Sequence, residues 1–180
     1  ATIVSQVEAM KNMVSDFADY ARAPSARMAP LNLHRLLREV VGLYEDNRIP
    51  VALHLEATRH LIMGDATRLR QVLHNLLQNA QDALQQAAKP RIILATADAE
   101  HNRLRLSVTD NGCGIPENFL ARAFEPYATT KPKGTGLGLS IVKKIVEEHG
   151  GSISILSSPA NGTCIEILLP TQEERREETA

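Results

Sequence analysis

Three amide side chains, Gln71, Asn75 and Asn79, recur every four residues in a stretch that otherwise reads as a strong helix, which stacks them on one helical face. Asparagine is a poor helix former, so two in register carry a cost that wants a reason. An amide oxygen is a hard, neutral ligand, and a nucleotide-bound Mg²⁺ takes only one or two protein ligands beside phosphates and water. A second group, Asp110-Asn111-Gly112-Cys113-Gly114-Ile115-Pro116, holds a carboxylate at the end of a strand before glycines that open backbone turns closed to other residues. A carboxylate only accepts hydrogen bonds, so it suits the exocyclic amine of adenine and repels the carbonyl of guanine. Third, Lys131-Pro132-Lys133-Gly134-Thr135-Gly136-Leu137-Gly138-Leu139-Ser140 leads glycines into a helix start, where free N–H groups, the positive helix end and nearby lysines suit polyphosphate. The Lys-Ser or Lys-Thr of a nucleoside-triphosphatase P-loop is missing from it. Fourth, Phe124-Glu125-Pro126-Tyr127-Ala128-Thr129-Thr130-Lys131 offers two aromatic anchors for a mobile lid over 126–135. Each piece alone has a plainer reading: a solvated helix face, an Asp-Asn-Gly turn, a flexible glycine loop.

The elements that must hold these groups follow from periodicity. The amides lie on a helix that Asp65 can cap, whose buried side is Leu69, Val72, Leu73, Leu76, Leu77 and Ala80 and which is expected to run to about Ala88. Before it come an Asn32-capped amphipathic helix through Leu33, Leu36, Leu37, Val40, Val41 and Tyr44, then short strands at 51–55 and 61–63. Strands near 91–97 and 104–109 flank a polar hairpin turn. A loop region from Asp110 to Gly136 precedes a helix over about 137–149 that Gly150-Gly151 terminates, and strands 152–157 and 163–169 close the pattern. At the other end, Ile3, Val7, Met10, Val14, Phe17 and Ala21 form a heptad seam, a helix that packs on its own domain or on a dimer or bundle partner. The segment 23–30 reads as a linker because of its prolines. The last ten residues read as a frayed, solvated tail.

Composition narrows the function classes. The 180 residues, 43% hydrophobic and 23% charged, suffice for one domain with an appended element. A net charge of −1 argues against a nucleic-acid partner, and three Phe, three Tyr and no Trp are too few for a base-stacking platform. Two cysteines make neither a disulfide framework nor a zinc spacing and suggest a reducing compartment. No apolar run approaches the ~20 residues of a membrane span, and the polar N-terminus is no signal peptide.

In order and spacing the four pieces closely resemble the ATP-binding catalytic domain of bacterial two-component sensor histidine kinases. Asn75-Leu76-Leu77-Gln78-Asn79-Ala80 resembles the asparagine box, Asp110-Asn111-Gly112-Cys113-Gly114 the first glycine box, Phe124-Glu125-Pro126-Tyr127 the phenylalanine box and Gly134-Thr135-Gly136-Leu137-Gly138-Leu139 the second glycine box. Asn161-Gly162-Thr163 matches the glycine-threonine turn between the last two strands. Thr129-Thr130-Lys131 with the second glycine box is most similar to nitrogen-regulation-type kinases. The resemblance implies an α/β (α+β) two-layer sandwich, a Bergerat-type mixed β-sheet covered by helices, over 31–170. Before it would stand one bundle or coiled-coil-like helix with its linker (1–30), the second helix of a dimerisation and phosphoacceptor domain, and after it the polar tail (171–180).

The same resemblance implies ATP and Mg²⁺ as cofactors, Asn79 as the metal ligand, Asn75 beside the phosphates and Asp110 as the adenine reader. Gly112 and Gly114 would approach the base, and Gly134, Gly136 and Gly138 would wrap the phosphates. Further nucleotide contacts would be Asp82, Ile115, Phe124, Thr130, Leu137, Leu139, Thr135 and Thr163. Many family members carry Lys or Arg a turn after the second box asparagine, where this chain has Asp82 and Ala83, so phosphate neutralisation passes to Lys131 or Lys133, with Lys131, Asn75 and Asn79 as the catalytic set. The implied partners are the phosphoacceptor domain of the same kinase, a response regulator receiver domain and a second copy through residues 3–22. The implied location is cytoplasmic, as part of a sensor that can be membrane-anchored. None of the six histidines is followed by the acidic residue and proline of an acceptor motif, so the chain is expected to carry the catalytic machinery without its acceptor. Related ATPases that activate water would need a glutamate in the asparagine-box helix, and residues 66–88 contain none. A serine kinase of this fold, or an interaction module regulated by nucleotide, would carry similar motifs.

Overall fold

A computed structural model describes residues 7, 25–44, 49–129, 134–159 and 161–172. The heptad seam of residues 3–22 lies outside the described residues apart from Val7, as do 173–180. In chain order the elements are β1 (Ala29–Asn32), α1 (Leu33–Gly42), β2 (Val51–Leu55), β3 (Leu61–Gly64), α2 (Ala66–Ala83), β4 (Ile92–Ala99), β5 (Arg103–Asp110), α3 (Glu117–Leu120), α4 (Gly138–Glu148), β6 (Ser152–Ser158) and β7 (Gly162–Pro170).

Both expected caps form. Asn32 accepts the Arg35 N–H at 3.0 Å, and one carboxylate oxygen of Asp65 takes the N–H groups of Thr67 and Arg68 at 3.0 and 3.2 Å, satisfying donors that a helix start leaves unpaired. Five strands make a mixed sheet in the order β2-β4-β5-β7-β6, with β2 and β4 parallel and the other pairs antiparallel. One face carries Leu94, Leu104, Leu106, Val108, Ile165, Ile167 and Leu169, all buried, and against it lie the apolar sides of α1, α2 and α4. The result is the expected two-layer sandwich, in which period-2 strands meet period-3.6 helices over one core.

Four features depart from the pattern read along the chain. Ala29–Asn32, half of it inside the expected linker, is a strand paired antiparallel with β3 in a separate two-stranded sheet; Pro30 is tolerated because a two-stranded sheet has only edges. Helix α2 stops at Ala83 rather than near Ala88, since Leu84 N–H folds back to the Gln81 carbonyl and the Ala83 carbonyl accepts Cys113 N–H at 3.2 Å. The long loop contains the one-turn helix α3, started by Pro116. The first two tail residues are tied down: Thr171 N–H and hydroxyl reach the Asn102 carbonyl, and Gln172 N–H reaches that of Leu61. The β4–β5 turn is the expected tight hairpin, with His101 and Asn102 both at positive φ, 58° and 53°.

Candidate functional site

At the end of β5 the inner face of the sheet changes from apolar to polar. Asp110 pairs in register with Thr163 of β7, and Thr163 with Ser157 of β6, so three polar side chains stand in one cross-strand row. The next row inward, Val108, Ile165 and Ile155, belongs to the core. Asp110 is 6% exposed and its carboxylate accepts Gly112 N–H at 2.8 Å. Burial pushes its pKa above the usual aspartate value, while the N–H groups of Gly112 and Thr163 pull it partly back. A buried acceptor under that tension gains from any further donor.

The glycines show where backbone approaches backbone. A Cβ at Gly112 would lie 2.6 Å from the Ala83 carbonyl oxygen, seating the first glycine loop on the end of α2. Gly114, at φ +70°, would place a Cβ 2.1 Å from the Ser158 carbonyl oxygen, so no other residue fits there. Asn111 locks the same loop from the other side, donating to the Lys89 carbonyl at 2.9 Å and accepting Arg91 N–H at 2.7 Å.

Across from this loop, Asn75 on α2 meets the beginning of α4, its amide oxygen 3.3 Å from where a Gly138 Cβ would stand. Leu137 is fully buried and anchors that end, and its carbonyl takes both the Ile141 N–H and the Ser140 hydroxyl. Leu137, at the N-cap, offers no side-chain cap of its own, and a helix start carries N–H groups with no partner inside the helix. Leu139 packs on the core. Asn79, Asp82, Gln71 and Ile115 are half-buried; Asp82 accepts a hydrogen bond from Gln78 one turn earlier, and Ile115 N–H donates to the Ser157 hydroxyl at 2.8 Å.

The structure thus gathers Asp110, Gly112, Gly114, Ile115 and Thr163 at one end of the site and Asn75 with Gly138 at the other, with α2 touching both. Thr130, Lys131 and Lys133 lie outside the described residues, so the stretch 126–135 is described only at its two ends. Phe124 is half-buried, Tyr127 is exposed at φ 64°, and Gly136 at φ 69° packs against the Tyr127 backbone; Gly134 and Thr135 are half-buried and Thr135 Oγ1 accepts Leu137 N–H at 3.4 Å. Ser157 and the Asn111 clamp were not evident along the chain. The register of the closing hairpin, which puts Ser157 opposite Thr163, is the signal that finds the first. Among the described residues no three His, Cys, Asp or Glu side chains cluster to hold a metal, and both cysteines are free thiols. No described helix is long and apolar enough to cross a membrane.

A mixed sheet covered on one face, with a buried carboxylate row, a backbone cradle and a glycine-led helix start at its end, defines an ATPase-type nucleotide-binding domain. Residues 64–173 match the family described as histidine kinase-, DNA gyrase B-, and HSP90-like ATPase, and the chain belongs to that family. Among its relatives is the nitrogen regulation protein NtrY of Azorhizobium caulinodans, 33% identical over an alignment that takes in 99% of this chain and 24% of NtrY. Two solved structures are similar. Histidine kinase ThkA in complex with the response regulator protein TrrA has a TM-score of 0.77 at 30% identity, covering 97% of this chain and 51% of that one. Full-length ShkA in complex with AMPPNP has a TM-score of 0.72 at 30% identity, covering 89% of this chain and 35% of that one. The chain is therefore an ATPase domain of the sensor-histidine-kinase type, and it spans 24–29% of the length of NtrY and an NtrY-like kinase that it matches.

Proposed function

We propose that this chain binds Mg²⁺-ATP and transfers its γ-phosphoryl group to a histidine of a dimerisation and phosphoacceptor domain, for relay to the receiver domain of a response regulator. The observation that carries the reading is Asp110, a buried carboxylate at the closed end of a site whose other end is the Asn75 amide against the start of α4. An acceptor at one end and backbone donors at the other match an adenine amine and a polyphosphate respectively. AMPPNP in ShkA, an ATP-like ligand in a similar fold, agrees with it.

In this reading Asp110 and Thr163 read the base and Gly112, Gly114 and Ile115 line its edge. Asn75, Gly138 and the start of α4 hold phosphates, with Leu137 and Leu139 seating that helix. Phe124, Thr130, Lys131, Lys133, Gly134, Thr135 and Gly136 form the lid, Lys131 and Lys133 neutralising phosphate charge, and Asp82 borders the site beyond Asn79. Asn79 would hold Mg²⁺; the fit is that of one neutral amide with no acidic cage among the described residues, as a phosphate-bound Mg²⁺ requires. Bound there, the ion would supply charge neutralisation across the phosphates. Phosphoryl transfer through a loose transition state asks chiefly for positioning and charge stabilisation, and neutral imidazole is already nucleophilic near pH 7, so the domain needs no strong base. The absence of glutamate from 66–88 favours transfer over water activation.

By the same reading 31–170 is the catalytic unit, 1–30 carries the second bundle helix and its linker and allows a homodimer through 3–22, and the whole protein works on the cytoplasmic side. ThkA was solved with its response regulator; a receiver domain is the partner proposed here. Calorimetric ATP titration with and without Mg²⁺, then transfer from γ-labelled ATP to a supplied acceptor domain, tests the proposal. Asn79→Ala is expected to abolish transfer while the fold survives. Parental transfer by that variant at millimolar Mg²⁺ would move the metal role elsewhere, first to Asn75.

A further inference from the structure

Ser157 is half-buried at the far end of the polar row, on β6, and its hydroxyl makes three hydrogen bonds. It lies 2.9 Å from the Gly162 carbonyl oxygen, 2.8 Å from the Ile115 N–H and 2.9 Å from the Thr163 hydroxyl. A serine hydroxyl has one proton to donate and two lone pairs to accept with. The carbonyl can only accept, so the proton of Ser157 goes to Gly162. The Ile115 N–H can only donate, so it uses one lone pair. In the remaining bond Ser157 must accept, and Thr163 must give its proton to Ser157. Thr163 is then left with lone pairs alone. It stands directly across from Asp110 on the same face of the sheet, and its own N–H is donated to the Asp110 carboxylate.

We infer that Ser157 is a positioning residue for base selection: by holding the Thr163 proton it makes the Asp110–Thr163 pair accept hydrogen bonds only, and so favours a purine nucleotide with an amine at its 6-position over one with a carbonyl there. The inference rests on the proposed reading of Asp110 and deepens it. Asp110 accepts at any protonation of its neighbours so long as it is ionised, but a threonine hydroxyl is ambivalent and would turn to donate to a carbonyl if nothing fixed it. Ser157 removes that freedom. The cross-strand register sets the two hydroxyls opposite one another, and the close approach of Gly162 to the Asp110 carbonyl, where a Cβ would lie 2.1 Å away, brings the accepting carbonyl of residue 162 to the same corner.

The test is calorimetric binding of ATP and of inosine triphosphate, which carries a carbonyl where ATP has its amine, to the parent chain and to variants. Ser157→Ala frees the Thr163 proton, and the ATP preference is expected to fall about ten-fold, the worth of one hydrogen bond, chiefly through tighter inosine triphosphate binding. Ser157→Thr keeps a hydroxyl and should keep the parental ratio. In a Thr163→Val background, where no proton is left to free, Ser157→Ala should leave the ratio unchanged. If Ser157→Ala weakens both nucleotides equally, or if the ratio still shifts with Val at 163, the residue only braces the loop and the inference falls. Asp110→Asn separates this from the underlying reading: a ratio that collapses in Asp110→Asn but is untouched in Ser157→Ala overturns the role of Ser157 alone, whereas equal parental affinities overturn base reading by Asp110 as well.

Discussion

The amide oxygen of Asn75 and the α-carbon of Gly138 face one another so closely that a methyl group at 138 would press on the amide at 3.3 Å. The middle of α2 and the first residue of α4 thus form one surface, and glycine at 138 is what permits it. Gly138→Ala is expected to shift the Asn75 amide by a few tenths of an ångström and to lower transfer to a supplied acceptor domain roughly ten-fold, since misplacement by a full ångström costs up to ~10²-fold. The fold should survive, because the neighbour that must give is the amide end of one side chain. Thermal unfolding and transfer measured side by side check this, and a loss of both together would contradict it.

Asp110 links nucleotide binding to pH. Its pKa is raised in the folded chain, by burial first, so the ionised form is the one the fold disfavours. Its contribution to stability is therefore greatest below the unfolded aspartate value and falls as pH rises through the folded value. An adenine amine favours the ionised form, so ATP affinity should decline as pH drops through that raised value. Asp110→Asn is expected to weaken ATP binding about ten- to hundred-fold at pH 7 and to flatten the acid limb of the affinity profile. Calorimetry over pH decides, and an unchanged affinity defeats the assignment.

His34 and His60 stack face to face with ring centroids 4.5 Å apart, and His34 shares a 2.8 Å hydrogen bond with the Thr96 hydroxyl. Burial, then the neighbouring His60 and Arg38, lowers the His34 pKa below 6.5, against a small opposing pull from Asp98. The fold thus prefers the neutral ring, and the stability this confers is whole above pH 6.5 and lost as pH falls through the lowered value. Urea unfolding between pH 7 and 5 should show that decline, and His34→Gln should reduce it; a decline of equal size in the variant would place its origin elsewhere.

His149 ties the end of α4 to the start of α2. Its Nδ1–H donates to the Ile145 carbonyl at 2.7 Å, and its Nε2 accepts Asp65 N–H at 2.9 Å. Arg68 and Glu148 join the same two helices by an ion pair. His149→Ala leaves the Asp65 N–H without its acceptor, while the Ile145 carbonyl keeps the backbone N–H of residue 149, and is expected to destabilise by about 1–3 kcal/mol. Chemical denaturation checks the figure, and a loss under about 0.5 kcal/mol, typical of surface positions, would contradict it.

No histidine of this chain stands in an acceptor motif, and transfer needs a nucleophile held in line about 3–3.5 Å from the reacting atom. Incubated alone with γ-labelled ATP, the chain should bind nucleotide and gain no acid-labile label; with a separate acceptor helix pair it should label that, slowly. Stoichiometric acid-labile label on the chain itself would point first to His74 of α2, whose Nδ1 lies 2.8 Å from the hydroxyl of Tyr44, just beyond α1.

Along the chain, what could be read was what neighbours within four residues decide. The caps at Asn32 and Asp65, the buried stripe of α2, the alternation of β4, β5 and β7 and the glycine turns are local, because helix and strand periods and the allowed φ of glycine are properties of short segments. The amide row and the carboxylate before its glycines were legible for the same reason, and their order and spacing sufficed to suggest the family. What lay beyond was settled by partners far apart in sequence. The Ala83 carbonyl ends α2 because Cys113, thirty residues on, claims it. Ala29–Asn32 became a strand only because β3 stands beside it. The direction of the Thr163 hydroxyl depends on which strand lies next to β7 and in which register. A hydrogen bond is directional and short, so its donor and acceptor are assigned only once the sheet has brought the groups within about 3 Å, and no pattern of residue types along the chain carries that information.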